Sequence, residues 1–415
     1  MYSINNIPSL DEGNFLGKRV LLRPDINSPI DRDTGKIVND NRIQKSLPTI
    51  QDLSDAGARV VIIAHQGDTT DYASLIGLAE HAQRLTAALG KPVDFIEDVA
   101  GPAAIEKIRS LKDGEILLLD NIRYLTEEVS TFEDAVTQTP AEMKSCYMVR
   151  QLAPEFDYYV NDAFAAAHRN APSMVGFQEL MPSYAGRLLI KELSALEVIT
   201  NNPARPCIFM LGGSRAGDAF GMIEQVLKND SADQLVLSGL IGQIFMIADG
   251  VKIGEASEGF IRSKGFGNYI EQAKDYLANY RSKISYPVDI AIEVNGKREN
   301  VAITDLTDDM VISDIGDQTI KNYLPIIASA KTILVNGPAG IYERDIFEKG
   351  TRALWNAVAD SDGFSVVGGG DSVTSFTKYV DMEKLNYVST AGGALIRYLS
   401  GVKLPLIDAM QTKSS

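Results

Sequence analysis

Cysteine and histidine are scarce in this chain of 415 residues, which has two of the first and three of the second. Cys146 and Cys207 lie far apart in sequence, which predicts two ordinary thiols in a reducing cytoplasm rather than a disulfide framework. The sequence has neither a closely spaced cysteine pair nor an H-E-x-x-H segment. A zinc site is therefore not expected.

Long hydrophobic runs are lacking as well. No apolar stretch has the length that is needed to cross a bilayer. The first residues do not combine a basic segment with an apolar core, so no secretory signal is expected. With 45% hydrophobic and 23% charged residues, the composition predicts a globular, soluble protein.

Basic residues are too few to balance the acidic ones, at 40 against 55, which gives a net charge of −15. Such an excess of negative charge argues against nucleic acid and anionic membranes as partners. It does not argue against small anionic substrates, because a local arginine cluster dominates the field within one Debye length. We expect a monomer that binds small anions.

Three well-known motifs are absent. The sequence has no G-x-x-x-x-G-K-[ST], which excludes a P-loop enzyme, and no G-x-G-x-x-G, which weakens a dinucleotide-binding interpretation. It has no G-x-S-x-G nucleophile elbow either. Phosphoryl transfer between two bound anions needs no protein nucleophile, because it depends on positioning and charge neutralisation.

Continuous apolar runs recur along the chain, and helical patterns separate them. Such runs are typical of strands buried on both faces, which indicates parallel sheets covered by helices. The predicted strands are Arg19–Asn27, Ala58–Gly67, Val93–Asp98, Glu115–Arg123, Tyr158–Phe164, Cys207–Gly213, Gln234–Gly239, Ile333–Gly337, Ser365–Asp371 and Asn386–Thr390. The predicted helices are Ser74–Leu89, Gly101–Leu111, Ala185–Thr200, Phe220–Leu227 and Phe347–Val358. This alternation predicts an α/β fold, with two doubly wound parallel-sheet domains joined by a long helix and a hinge.

The break between the domains is predicted near residues 180–203. Met181-Pro182-Ser183 is typical of a helix start, with Ser183 as its cap, and Leu188–Ile199 continues as one amphipathic helix. Ile253–Ser263 and Val294–Val301 are rich in turn-forming residues, and their patterns predict no element.

Ligands of open parallel sheets bind beyond the carboxyl ends of the strands. In the first half, the residues that follow the apolar runs carry cationic and polar side chains. The candidates are Arg23, Asp25, Asn27, His65, Asp120, Asn121, Arg123, Asn161, Asp162 and Arg169, with Arg42 in a loop beside them. Guanidinium groups bind phosphate and carboxylate in a bidentate manner, so this half is predicted to bind an oxyanion.

In the second half, the apolar runs end in glycine-rich turns that open onto helices. Bare backbone N–H groups at a helix N-terminus suit phosphate binding. Gly368–Ser372 fits this pattern, and Asp371 would repel a phosphate unless Mg²⁺ lay between them. From this segment alone, a tight turn with Asp371 as a helix cap is an equally good interpretation.

Taken together, these segments resemble the phosphoglycerate kinase family over nearly the whole chain. The family opens with an R-x-D-x-N-x-P motif, which matches Arg23–Pro29. The motifs that follow in the family's order are Asp40–Ile43, Pro48–Ile50, His65–Gly67, Leu119–Tyr124, Val160–Phe164, His168-Arg169, Leu211–Ser214, Asn336–Pro338, Gly350-Thr351, Gly368–Asp371 and Ser389-Thr390. The sequence around His65 and the short chain length resemble the archaeal members.

The resemblance implies reversible transfer of a phosphoryl group from 1,3-bisphosphoglycerate to ADP with Mg²⁺, which gives 3-phosphoglycerate and ATP. Arg42 and Arg215 would be the catalytic residues. The implied phosphoglycerate ligands are Asp25, Asn27, Arg42, His65, Arg123 and Arg169. The implied nucleotide ligands are Gly212, Gly213, Arg215, Asn336, Pro338, Gly340, Glu343, Gly370, Asp371 and Ser372, with Asp371 facing the metal.

The resemblance also implies a division of labour between domains. Residues 1–182 would form the N-terminal substrate domain, 183–202 the connecting helix, and 203–392 the C-terminal nucleotide-binding domain. The segment 393–415 would return to pack on the first domain. The reaction would require closure about the hinge.

The chain departs from the family at positions that face phosphates. Asp68 stands where the family usually has an arginine, Arg215 stands where it has a catalytic lysine, and Ala219 stands where it has a second lysine. Asp68 favours one alternative, a diverged paralogue that acts on another phosphorylated acid or acyl phosphate. Ala219 favours the other alternative, a non-catalytic nucleotide-binding scaffold.

Overall fold

The computed structural model describes residues 4–68, 71–130 and 136–411. It divides the chain into two compact units, Met1–Ser194 with Lys403–Ser415, and Ala195–Val402. Among the described residues, no helix is both long and apolar enough to cross a membrane.

The first unit is built on a six-stranded parallel sheet with the order β3-β4-β2-β1-β5-β6. Its strands are β1 (Arg19–Pro24), β2 (Arg59–Ile62), β3 (Val93–Ile96), β4 (Ile116–Leu119), β5 (Tyr158–Asp162) and β6 (Ser183–Ala185). Its helices are α1 (Asn41–Asp55), α2 (Ala79–Leu89), α3 (Pro102–Ser110), α4 (Thr126–Ser130), α5 (Pro140–Met143), α6 (Tyr147–Leu152), α7 (Pro172–Val175), α8 (Arg187–Thr200), which continues into the second unit, and α17 (Pro405–Gln411). β1 pairs with both β2 and β5, so it is an inner strand, with β2, β4 and β3 on one side and β5 and β6 on the other.

The second unit has its own six-stranded parallel sheet, ordered β15-β14-β13-β7-β8-β9, and a three-stranded antiparallel sheet, ordered β11-β10-β12. The strands are β7 (Cys207–Leu211), β8 (Gln234–Leu237), β9 (Ile284–Ser285), β10 (Asp289–Val294), β11 (Lys297–Ala302), β12 (Asp314–Ile315), β13 (Thr332–Asn336), β14 (Phe364–Gly368) and β15 (Tyr387–Val388). The helices are α9 (Ala216–Lys228), α10 (Gly239–Ala248), α11 (Glu255–Ser263), α12 (Gly267–Tyr280), α13 (Asp317–Ser329), α14 (Lys349–Ala359), α15 (Gly370–Tyr379) and α16 (Gly393–Leu399).

These elements confirm the predicted α/β fold class and the two parallel sheets. Each apolar run forms a strand, and most strands end before the predicted boundary. The reason is that the residues at the ends of the runs do not pair with a neighbouring strand and form turns instead. β1, for example, ends at Pro24, and Asp25 and Asn27 lie in the loop beyond it.

The predicted start of the connecting helix is wrong. Ser183 belongs to β6, which pairs with β5, and α8 begins at Arg187. The first N–H groups of α8 are capped from a distance: Arg187 N donates to Thr49 Oγ1 at 2.8 Å, and Leu189 N donates to Asp162 Oδ1 at 2.9 Å. Because the caps are distant in sequence, the local pattern around Ser183 could not reveal them.

Two further expectations need correction. Arg42 lies in the first turn of α1, not in a loop, although that helix contains Pro48. The unassigned segments also have regular structure, because Ile253–Ser263 contains α11 and Val294–Val301 spans the hairpin of β10 and β11.

The segment 393–415 divides between the two units. α16 packs against α9 within the second unit, whereas residues from Lys403 onward belong to the first. There Leu406 N donates to the carbonyl of Ala167 at 3.2 Å. The last residues, 412–415, lie outside the described part of the chain.

Candidate active site

In the first unit, the predicted acid-binding residues leave the carboxyl edge of the parallel sheet. Asp25 and Asn27 follow β1, His65 follows β2, and Arg123 lies in a 3-10 helix, Ile122–Tyr124, after β4. The strands β1, β2 and β4 are neighbours in the sheet. The fold therefore gathers side chains from distant parts of the sequence at one edge.

His65 is buried against Arg23, whose Nη2 lies 2.8 Å from His65 Nδ1. Burial, and next the charges of Arg23, Arg123 and Arg42, hold the pKa of His65 well below its usual value. The imidazole is therefore neutral near pH 7. Because a guanidinium can only donate, Nδ1 accepts and the proton lies on Nε2. His65 thus has one N–H donor left for an anion.

Arg42 is held by Asp25. Its Nη1 donates to Asp25 Oδ2 at 2.8 Å, and about a third of its side chain, 37%, is still exposed. Asp25 is buried, so the carboxylate acts as a fixed support for a guanidinium that faces solvent. This geometry presents a cation at the sheet edge without allowing it to move freely.

Asn27 acts mainly on the backbone of the site. Its Oδ1 accepts from Gly67 N at 3.0 Å, and this fixes the turn that follows His65. Asp25 and Asn27 were both predicted as ligands. Each uses a side-chain oxygen to hold another protein group, Arg42 in the case of Asp25 and the Gly67 N–H in the case of Asn27.

Arg123 is a buried cation with an unused donor. Its Nη1 donates to the carbonyl of Gly67, while its Nη2 is buried and has no hydrogen-bond partner among the described residues. Burial, and next the charge of Arg23, lower the pKa of Arg123. A buried guanidinium nitrogen without a partner is costly. An oxyanion bound at this edge would supply the missing acceptor.

Arg169 lies in the turn that follows a 3-10 helix, Phe164–Ala166, and its side chain is partly buried. This turn leaves β5, the neighbour of β1, on the same carboxyl edge. Its contact with a ligand stays a prediction.

Sequence reasoning missed two residues that support the cluster, Glu128 and Ser173. Arg23 Nε donates to Ser173 Oγ at 3.3 Å, and Ser173 donates through both its hydroxyl and its N–H to the carboxylate of Glu128. Burial raises the pKa of Glu128, and Arg23 opposes that effect. Glu128 lies in a helix of five residues, and no local pattern marked it.

Asp68 lies beside this cluster, where its negative charge raises the pKa of Arg123 and so partly offsets the lowering caused by burial. Its own backbone N–H donates to Ser74 Oγ at 2.8 Å, and its side chain is exposed. An acidic group therefore occupies the rim of a cationic site.

In the second unit, the glycine turns meet where the chain leaves β7 and β13, the adjacent strands at which the strand order reverses. Gly213 N donates to the carbonyl of Pro338 at 2.8 Å, and Gly212 N donates to that of Asn336 at 2.9 Å. Gly337 has φ +95°, and a Cβ there would lie 2.2 Å from the carbonyl oxygen of Gly212. Only glycine permits this approach, which forms a switch point typical of nucleotide-binding sheets.

The turn after β14 is tied to the same point. Ser372 Oγ accepts from Gly337 N at 2.6 Å, and a Cβ on Gly369, at φ +88°, would lie 2.5 Å from Asn336 Oδ1. Ser372 is thereby committed to the turn, whereas Gly370 has open space at its Cα and Asp371 is exposed. Both of the latter stand in the first turn of α15, where N–H groups lack helical partners.

A cavity of about 450 Å³ opens beside these turns. Of the predicted nucleotide residues, those that line it are Gly213, Pro338, Gly340, Glu343 and Asp371. Much of the remaining wall is apolar, with side chains that include Leu240, Met246, Phe260, Ile290, Val311 and Ile341. An apolar slot that ends at glycine turns and a helix N-terminus suits a nucleotide. Arg215 lines an adjoining cavity instead.

Asp314 is a buried acid in the wall of this cavity, and no local sequence pattern marked it. Burial raises the pKa of Asp314 to about 7, although the N–H of Gly350 and the charge of Arg298 oppose the rise. Its Oδ2 accepts from Gly350 N at 2.8 Å. A Cβ on Gly340 would lie 2.5 Å from its Oδ1, so the carboxylate sets the position of the Gly340 wall.

The donor set for a metal is small. Within the described ranges, no group of three or more His, Cys, Asp and Glu side chains could hold an ion. Asp371 is a single carboxylate at the cavity. Mg²⁺ commonly takes one or two carboxylates together with substrate phosphates, so this site fits a metal that arrives with a nucleotide.

The two sites are those of a known enzyme family. The phosphoglycerate kinase family model matches residues 10–402. The chain belongs to the phosphoglycerate kinase family. The phosphoglycerate kinase of Methanothermobacter thermautotrophicus is 41% identical over 405 residues, which cover 97% of this chain and 96% of that one. That of Methanococcus maripaludis is 42% identical over 408 residues, which cover 97% of both chains.

Solved structures agree with the sequence comparison. The crystal structure of phosphoglycerate kinase from Pyrococcus horikoshii has a TM-score of 0.87 at 36% identity, with 99% of this chain and 100% of that chain covered. The phosphoglycerate kinase of Coxiella burnetii has a TM-score of 0.82 at 32% identity, with the same coverage. The resemblance to phosphoglycerate kinases of archaea is therefore confirmed over nearly the whole chain.

Proposed function

We propose that this chain transfers a phosphoryl group reversibly between 1,3-bisphosphoglycerate and ADP, giving 3-phosphoglycerate and ATP. As a member of the phosphoglycerate kinase family, it is an ATP-dependent phosphotransferase with a carboxyl group as acceptor. The observation that carries the proposal is the buried cation cluster of the first unit, where Arg123 Nη2 has no partner among the described residues. Such a cluster requires an oxyanion to complete it.

The first unit holds the phosphorylated acid. His65 Nε2–H donates one hydrogen bond, and Arg123 and Arg169 supply charge-assisted bonds to phosphate or carboxylate oxygens. Asp25 and Asn27 position Arg42 and the Gly67 turn. Arg42 keeps an exposed guanidinium, which suits it to stabilise the negative charge of the group in transfer.

The second unit holds the nucleotide. The base and ribose occupy the apolar part of the cavity, and the phosphates meet the N–H groups of the Gly213 and Gly370 turns. Asp371 would hold the Mg²⁺ that accompanies the nucleotide, and that ion supplies neutralisation of phosphate charge when bound. Arg215, with Asn336 and Ser372 keeping the turns in place, completes the phosphate end of this site.

No covalent intermediate with the protein is required by this arrangement. In the direction that consumes ATP, a carboxylate oxygen of 3-phosphoglycerate attacks the terminal phosphorus, the bond from that phosphorus to the bridging oxygen breaks, and ADP leaves. The residues contribute position, charge and exclusion of water. Domain closure, a monomeric state and the cytoplasm as location stay predictions from the sequence.

A coupled assay with 3-phosphoglycerate and MgATP tests the function. We expect turnover above about 1 s⁻¹, in the lower part of the usual enzyme range. MgATP binding without turnover on 3-phosphoglycerate, but with turnover on another phosphorylated acid, would indicate the diverged paralogue that Asp68 favours. MgATP binding without turnover on any acid tested would indicate a scaffold.

A further inference from the structure

A second cavity, of about 480 Å³, adjoins the nucleotide cavity in the second unit. The two cavities share Ser214 and Phe260 in their walls, so they are neighbours at that edge. The second cavity is lined by Arg215 and the following residues of α9 on one side, and by Lys264 and Phe266 on the other. Lys264 comes directly after α11, a part of the chain that the sequence patterns left unassigned.

Arg215 and Lys264 bring two positive charges to this cavity. Within the described part of the chain, neither side chain forms an ion pair. The contrast with Arg262 on the adjacent turn is clear, because Arg262 is paired with both Glu255 and Glu258. Two cations that line one cavity repel each other unless an anion lies between them.

The other groups of the cavity have opposing effects on an anion. Ala216 and Gly217 begin α9, a helix of thirteen residues, so their N–H groups have no helical acceptor. Asp218 adds one carboxylate to the same wall and forms no ion pair with either cation among the described residues. Two positive charges and free amide donors outweigh this one negative charge.

The position of Lys264 is linked to the nucleotide cavity through Phe260. The Lys264 Nζ lies 5.4 Å from the centroid of the Phe260 ring, which is half exposed. Because this ring faces both cavities, the ammonium lies at the boundary between them. Phosphates that extend from the nucleotide cavity toward Arg215 would enter the cavity that Lys264 also lines.

We propose that Lys264 is a second phosphate-binding cation of this enzyme, and that it binds the terminal phosphates of the nucleotide together with Arg215. The proposal rests on the proposed function, since it presumes that the nucleotide occupies the neighbouring cavity. It also gives the chain a source of positive charge on this side of the site, where Ala219 provides none.

The test compares ligands with and without phosphates by isothermal titration calorimetry. Wild type, Lys264→Gln and the control Lys321→Gln are titrated with MgATP, and separately with adenosine. Lys321 is an exposed lysine on α13 that forms no ion pair among the described residues. We expect Lys264→Gln to weaken MgATP about tenfold, the value of one exposed charge-assisted contact, and to leave adenosine unchanged. Lys264→Arg should restore most of the MgATP affinity.

A double-mutant cycle with Arg215→Gln adds a second measurement. Since both cations would bind the same phosphates, the two losses in MgATP affinity should not add. Equal MgATP affinity in Lys264→Gln and Lys321→Gln would overturn the proposal, as would an equal loss for adenosine, which would indicate packing on Phe260 alone. If the wild type binds no MgATP, the proposed function itself fails. If the wild type binds MgATP and Lys264→Gln binds it equally well, only the role of Lys264 fails, so the two outcomes are distinguishable.

Discussion

The two units build their candidate sites by different means. The first unit uses charged side chains that hold one another in place. Arg23, for example, contacts His65 directly and is linked to Glu128 through the hydroxyl of Ser173. The second unit uses backbone turns, in which glycines pack closer than any side chain allows. The cation cluster of the first unit is sensitive to charge, whereas the glycine turns of the second unit are sensitive to volume. Substitutions chosen for each property should therefore affect one ligand and not the other.

The largest effect is expected from Arg42→Ala. Arg42 presents a partly exposed guanidinium at the candidate site of the first unit, and loss of a cation that stabilises the transferring group costs about 10³-fold in turnover. Measured by steady-state kinetics, kcat should fall by that factor, while calorimetry should show an unchanged Kd for MgADP. Arg32→Ala serves as the control, because Arg32 is an exposed arginine of the same unit that pairs with Asp71. An unaltered kcat in Arg42→Ala would remove Arg42 from the mechanism.

Gly337→Ala is the corresponding change in the second unit. The added Cβ would lie 2.2 Å from the carbonyl oxygen of Gly212, and the backbone at φ +95° disfavours alanine in any case. The turns must separate, so we expect MgADP to bind about 100-fold more weakly, for a cost of about 3 kcal/mol. Binding of 3-phosphoglycerate should not change.

Gly267→Ala is the matched control for that variant, because a Cβ at this position meets nothing within 4 Å. Both variants should show folded circular dichroism spectra. If Gly337→Ala binds MgADP as wild type does, the close turn is not needed for nucleotide binding.

Some parts of the fold and of the candidate sites could be predicted from the sequence, and others could not. Apolar runs predicted the parallel strands, and the residues after them predicted Asp25, His65 and Arg123 at one sheet edge. Buried supports such as Glu128 and Asp314 could not be predicted, because their partners lie far away in sequence. The antiparallel sheet was missed for another reason: β11 is mostly exposed and carries lysine, arginine and glutamate instead of an apolar run.

The pH dependence of stability should depend on Asp162, the buried cap of α8. Burial raises the pKa of Asp162 to about 7, against the hydrogen bond from Thr49. Between its unfolded pKa, about 4, and 7, the folded state binds more protons than the unfolded state, so stability falls as pH rises through this window and is flat above it. This linkage amounts to about 2 kcal/mol between pH 5.5 and 8.

Asp162→Asn cannot titrate, so its stability relative to wild type should improve by that amount as pH rises from 5.5 to 8. Urea unfolding at the two pH values measures the difference, with the exposed Asp33→Asn as control. MgADP affinity should not change, since Asp162 belongs to the first unit. A relative stability that does not depend on pH would show that Asp162 titrates outside this window.

The smallest effect is expected from Asp68→Arg, which tests whether charge alone governs the first unit. Asp68 acts on Arg123 through its negative charge at the rim of the cation cluster. An arginine there removes one negative charge and adds one positive charge, so 3-phosphoglycerate should bind about tenfold more tightly. Asp68→Asn should give an intermediate value, because it changes the charge by half as much, and MgADP should bind equally in all three proteins. Weaker binding of 3-phosphoglycerate by Asp68→Arg would mean that Asp68 contributes to recognition of a different acid.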